Sequence, residues 1–204
     1  MVGGLIMAHG DDAGLRLPPN VAPIQAVVIA VKDDARTLAA ATAMVEDLAG
    51  AGIRARLDAR TSQGFGRRST EWELKGVPIR IEVGPRDLDA GQVTIARRDR
   101  AEKTSAPVAE VVAATQPVLA SMQSELFMRA RARLAERTTD TTTVDDAIAA
   151  AATGFARIPW QLLGEEGEEM LNSRAITVRC LQTADGMLPA GPGDELFAIV
   201  GRSY

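Results

Sequence analysis

The rhythm of apolar and polar positions changes along the chain, and each change predicts an element. Ala26-Val27-Val28-Ile29-Ala30-Val31 is an uninterrupted apolar run, the pattern of a central strand covered on both faces. Val77, Ile79, Ile81 and Val83 alternate with Pro78, Arg80 and Glu82, the period-two signature of a strand with one apolar and one polar face. Gln92–Arg97 alternates in the same way, and residues 53–57 predict a further short strand. Between these lie helices. Asp33-Asp34 offers a cap for a helix reaching about Leu48 and stopping at Gly50-Ala51-Gly52, and a second helix carries Arg67, Arg68, Glu71, Trp72, Glu73 and Lys75. Strand, helix, strand, helix, strand, strand predicts a three-layer α/β domain with a mixed sheet.

Beyond Pro107 the pattern becomes helical over residues 108–136, with Val111, Val112, Leu119, Met122, Leu126, Met128 and Leu134 among alanines and arginines. The polar run Thr138-Thr139-Asp140-Thr141-Thr142-Thr143 breaks that helix, and Thr143 caps the next, whose first turn holds Asp145 and Asp146. A strand ending near Ile158-Pro159-Trp160, an acidic helix over residues 165–171 and strands over 175–181 and 195–200 follow, a small α+β unit. Its expected core comprises Phe155, Ile158, Trp160, Leu162, Leu163, Met170, Leu171, Ile176, Val178, Leu181, Leu196, Phe197 and Ile199.

Charge sharpens this division. The formal net charge of −4 over 204 residues conceals a basic middle: residues 54–103 hold twelve Lys/Arg against eight Asp/Glu, whereas 1–53 hold three against six and 104–204 eight against thirteen. A polyanion can settle on such a segment while the flanks stay acidic. The single cysteine, Cys180, rules out an internal disulfide and reads as a small buried hydrophobe. The apolar start, Met1-Val2-Gly3-Gly4-Leu5-Ile6-Met7, has no basic flank and is too short to span a bilayer, so neither a signal peptide nor a membrane segment is expected. His9, Asp11 and Asp12 suggest a turn around Gly10 to Gly14 rather than a metal site. The Gly-x-Gly of Ser62-Gln63-Gly64-Phe65-Gly66 lacks the further glycines and lysine of a phosphate loop, which disfavours a nucleotide-binding enzyme.

Several blocks then stand in an order that resembles one family. Gly4-Leu5-Ile6-Met7-Ala8-His9-Gly10-Asp11-Asp12, Glu71-Trp72-Glu73-Leu74-Lys75-Gly76, Glu82-Val83-Gly84-Pro85-Arg86-Asp87, Arg97-Arg98-Asp99 and the closing Ile199-Val200-Gly201-Arg202-Ser203-Tyr204 resemble the carboxyl-terminal part of prolyl-tRNA synthetases of the archaeal and eukaryotic type. The resemblance implies the tail of a class II catalytic domain over 1–24, an anticodon-binding α/β domain over 25–106, a connecting helix over 107–136 and a carboxyl-terminal α+β domain over 137–204. It implies proline tRNA as partner, a cytoplasmic location, neither membrane nor DNA binding, and a homodimeric full-length enzyme that uses ATP and Mg. The abrupt apolar start reads as a chain entered partway through a larger domain, so the ATP and proline motifs are expected upstream and this chain alone is expected not to form prolyl-adenylate. The zinc cysteines of the family's last domain are replaced: Gln161 follows Pro159-Trp160, Gly167 sits within the acidic helix, and no cysteine follows Leu181, so zinc is expected to be absent. Tyr204 matches the family's closing tyrosine, whose carboxylate reaches toward the catalytic site. A free-standing accessory or protein-interaction module is the alternative.

A proline anticodon ends in two guanines. Guanine offers donors at N1 and N2 to a carboxylate and acceptors at O6 and N7 to Arg or Lys, so a reader needs both signs of charge. The resemblance assigns that role to Glu82 and Arg86, with Glu73, Lys75 and Arg97 beside them and Glu71 and Lys103 nearby. Arg86-Asp87 follows a strand's carboxyl end, where open α/β sheets usually bind ligands. For the helix residues the competing expectation is an intrahelical Glu71–Lys75 pair at i, i+4. Trp72 is expected to be a core anchor more than a stacking platform.

Overall fold

A computed structural model describes residues 2–100, 102–191 and 194–203, so Tyr204 lies outside the described residues. The chain divides into two compact units, residues 1–127 and 128–204. The first begins with α1 (Val2–His9) and a hairpin of β1 (Gly10–Asp11) and β2 (Gly14–Leu15), then continues β3 (Ala26–Ala30), α2 (Ala35–Gly50), β4 (Ala55–Asp58), α3 (Phe65–Leu74), β5 (Ile79–Val83), α4 (Pro85–Asp89), β6 (Gln92–Arg97), β7 (Lys103–Pro107) and the first part of α5 (Val111–Glu136). The expected turn at Gly10 to Gly14 is this hairpin.

The five-stranded sheet has the order β4-β3-β5-β6-β7, with β3 parallel to β4 and β5, and β6 antiparallel to both neighbours. This is the mixed sheet the alternation predicted, extended by β7. That edge strand, Lys103-Thr104-Ser105-Ala106-Pro107, buries only Ala106 and carries no apolar period to reveal it. On one face Ala41, Met44 and Leu48 of α2 and Val111 and Leu119 of α5 pack on Val28, Ile79, Ile81 and Ile95. On the other, Trp72 and Phe65 of α3 cover Val27 and Ile29. The result is three layers. Asp34 caps α2 as expected, its carboxylate accepting from the Thr37 N–H and hydroxyl at 2.8 and 2.7 Å.

Gly76, which follows α3, has φ +72, and a Cβ there would meet the Leu15 Cβ at 2.5 Å and Leu15 backbone at 2.9 Å. Gly76→Ala combines a left-handed backbone with a clash against main chain and is expected to cost about 2 kcal/mol, read as a lowered thermal midpoint. An unchanged midpoint would show that the hairpin is loosely held.

The second unit contains β8 (Thr138–Asp140), α6 (Val144–Ala151), β9 (Phe155–Pro159), α7 (Trp160–Ser173), β10 (Ile176–Gln182) and β11 (Phe197–Arg202), its sheet ordered β10-β11-β9-β8. Thr143 caps α6 through the Asp146 N–H at 3.1 Å. The core is built from Ala147, Ala151, Ala156, Ile158, Leu163, Leu171, Ile176, Ala198 and Val200. Leu162 and Met170, expected inside, are 53 % and 48 % exposed, because α7 breaks at Gly164 and buries Leu163, Gly167 and Leu171, with Trp160 packed half-buried beside them. Along β11 the inward parity falls on Ala198 and Val200 rather than Phe197 and Ile199. Cys180 is exposed, not buried, since it follows a bulge in β10 that shifts the register between Val178 and Cys180.

Candidate nucleic-acid interface

Alternation along β5 decides where the charges go. Ile79, Ile81 and Val83 enter the core beneath α2 and α5, which sends Arg80 and Glu82 to the face shared with α3. Register extends that polar strip: Arg80 stands opposite Ala96 and Glu82 opposite Thr94 on β6, while Lys103 and Ser105 of β7 stand opposite Ala96 and Thr94. The apolar side chains of α3 end over β3, so the strip over β5, β6 and β7 has no apolar lid.

A cleft of about 250 Å³ opens there, lined by Ala13, Glu73, Arg80, Ala96, Arg97, Arg98 and Lys103. One network runs through it. The Arg80 Nη1 donates to Glu73 at 2.6 Å and its Nε to Glu82 at 3.2 Å. The Lys103 ammonium bridges both Glu82 oxygens at 2.9 Å each. Arg98 closes the end, donating to the Glu73 carbonyl at 3.2 Å and to Asp11 at 2.6 Å. That bond from Arg98 holds the Asp11 carboxyl below its ordinary range. Glu82 is only 8 % exposed, so its carboxylate is held in one place by two cations. Such a site presents fixed acceptors and donors side by side, the arrangement a base edge requires.

The other expected readers are distributed differently. Arg97 borders the cleft but stands opposite Ile79 in register, and its guanidinium binds both Asp99 oxygens at 3.0 Å, Ser121 at 3.1 Å and Glu125 at 3.0 Å, tying β6 to α5. The Asp99 bonds raise the Arg97 pKa above its ordinary value. Arg86 is exposed on α4 beyond the carboxyl end of β5, bordering neither this cleft nor the second one described next. The charged cluster therefore lies on the sheet face, along Arg80 and Glu82 of β5, with Arg86 apart from it beyond the strand's carboxyl end. Lys75 makes no pair with Glu71. Glu71 instead bonds Arg60 at 2.7 Å and Arg67 at 3.6 Å, and the Lys75 ammonium lies 4.5 Å from the Trp72 ring centroid. Lys75 faces the second cleft, of about 260 Å³, with Arg56, Asp58, Arg60 and Trp72.

Arg80 was absent from the expected readers, although it sits two residues before Glu82 and a strand's period puts both on one face. Arg68 of α3 is fully buried, donating to the carbonyls of Ala30 at 2.9 Å and Gln63 at 3.1 Å and to Asp58. Asp58 in turn accepts from Trp72 Nε1 at 2.6 Å and Arg60 at 2.7 Å. Burial pushes the Asp58 carboxyl up, but the bonds from Arg60 and Trp72 outweigh it and hold the group well below the usual carboxylate range. Among the described residues no three His, Cys, Asp or Glu side chains gather as a metal site, and no helix is long and apolar enough to cross a membrane.

Residues 25–116 match the family described as anticodon binding domain. Over the whole chain the sequence is 54 % identical to a proline–tRNA ligase of Frankia alni and 46 % identical to proline–tRNA ligase 2 of Streptomyces avermitilis, covering 44 % of each. Two structures of Cryptosporidium parvum prolyl-tRNA synthetase, one complexed with L-proline and AMP and one with halofuginone and AMPPNP, superpose on the whole chain with TM-scores of 0.83 and 0.85 at 29 % and 27 % identity. The chain spans 46 % and 45 % of those two chains.

Proposed function

Because the chain belongs to the prolyl-tRNA synthetase family and carries its anticodon-binding domain, we propose that it recognises the anticodon of proline tRNA for a synthetase whose remaining part joins proline to that tRNA. That part would use ATP with Mg, work in the cytoplasm and act as a homodimer. The Cryptosporidium parvum enzyme's complex with L-proline and AMP supports the chemistry assigned to the remainder.

The observation that carries this reading is the Glu73–Arg80–Glu82–Lys103 network on the sheet face beside α3. Glu82 and Glu73 accept from guanine N1 and N2, while Arg80 and Lys103 donate to O6 and N7. RNA entry must exchange the internal ion pairs for bonds to the base, so the resting network keeps each carboxylate oriented and partnered until the base arrives. Arg86, exposed beside the strand end, adds a cation for the flanking backbone. Arg97 acts indirectly, holding β6 against α5 so that the floor of the cleft is rigid.

The test is binding of the full chain to a proline tRNA transcript and to a copy with both anticodon guanines replaced. Tighter binding of the guanine form by about 10-fold or more is expected, since a well-formed base contact discriminates by about 1–3 kcal/mol. Equal binding of the two would leave the accessory-module reading. Stoichiometric zinc in purified protein is not expected, and elemental analysis checks this.

A further inference from the structure

The second cleft has a different chemistry from the first. Its carboxylate is already consumed, for Asp58 accepts from Arg60 at 2.7 and 3.1 Å, from Trp72 Nε1 at 2.6 Å and from Arg68 at 3.4 Å. Three cations surround one indole, with Arg56, Arg60 and Lys75 at 5.9, 5.8 and 4.5 Å from the Trp72 centroid, and of these Arg60 is paired with Asp58 and Glu71. Arg56 and Lys75 form no ion pair among the described residues. A ring face attracts cations without neutralising them, so the cleft keeps a positive charge and spare donors, with no spare carboxylate. Trp72 is 5 % exposed and shielded by these side chains, which leaves no open face for a base to stack on. What such a cleft accepts is an anion recognised by charge alone.

We propose that Arg56 and Lys75 seat phosphates of the tRNA backbone in this cleft, independently of sequence. The inference rests on the RNA-binding reading above. It follows from the placement of α3, whose last turn carries Glu73 toward the base-reading cleft and whose cap, Lys75, faces the phosphate cleft. A strand crossing the end of this helix meets both.

The test is the double variant Arg56→Gln/Lys75→Gln in the full chain, measured against the proline tRNA transcript and its guanine-replaced copy between 50 and 200 mM salt. Losing two phosphate contacts lowers the slope of log K against log salt by about 1.4 to 1.8, and the affinity loss is equal for both transcripts. Arg56→Lys/Lys75→Arg restores the slope, which a merely packing role for these side chains would not require. An unchanged slope overturns the proposal, as does a loss confined to the guanine-bearing transcript. If wild type fails to prefer guanine yet the slope still falls in the variant, the phosphate cleft stands and the anticodon assignment fails.

Discussion

Asp58→Ala is expected to lower the unfolding free energy by about 3–5 kcal/mol, the range found when one partner of a buried charge pair is removed. The reason is the company Asp58 keeps. Arg68 is fully buried and Asp58 is its only acidic partner among the described residues, so the alanine variant leaves a guanidinium without a counter-charge in the core. It also leaves the Trp72 indole N–H without its acceptor at 2.6 Å. Asp58→Asn keeps the shape and one acceptor oxygen for the indole while removing the charge and the second acceptor, so its loss should be smaller. Urea titration of the three proteins at neutral pH separates these terms, and an asparagine variant as unstable as the alanine one would assign the effect to charge rather than shape.

The same residue sets an acid dependence. Because the folded Asp58 pKa is depressed, the stability it contributes is complete above the unfolded value of about 3.9 and is lost as pH falls through the lower folded value. The stability gap between wild type and Asp58→Asn should therefore hold constant from pH 7 to about 5 and narrow below about 4. A gap that persists undiminished at acid pH would mean that Asp58 contributes through something other than its charge.

The second large effect concerns recognition. Glu82→Gln is expected to reduce the preference for guanine-bearing over guanine-replaced proline tRNA by about 10- to 100-fold, because an amide matches the two guanine donors poorly and no longer holds Lys103 across both oxygens. Binding to the replaced transcript should change little, since the variant removes a negative charge and leaves every cation in place. Uniform change in both transcripts would make Glu82 an orienting residue for Lys103 instead of a reader.

Much of the first unit was legible from local chemistry. The run Ala26 to Val31 had to be a strand buried on both faces, the alternation over β5 had to divide Ile79 and Ile81 from Arg80 and Glu82, and Asp34 announced its helix by capping, as Thr143 did in the second unit. These features depend on neighbours within a few residues. The short strand β7 and the three-residue β8 were not legible, because edge strands are held by backbone pairing and need no apolar pattern. In β10 and β11 a bulge reset the parity, which no period count detects.

The candidate site divides the same way. Composition placed the positive charge in residues 54–103, and resemblance selected Glu73, Lys75, Glu82, Arg86 and Arg97. Their partners were beyond reach of the sequence, since Arg80 meets Glu73 across seven residues, Lys103 meets Glu82 across twenty-one and Arg97 meets Glu125 across twenty-eight. Sequence spacing fixes which face of a strand or helix a side chain leaves from. Only the packed sheet decides which charged neighbour it finds there, because long-range pairing is set by register and by what the core must bury. By itself, then, the sequence determined the main strands and helices, the basic middle and the family resemblance; tertiary structure alone decided that Arg68 is a buried strut, that Arg97 ties a helix, and that Glu73 and Lys75 border two separate clefts.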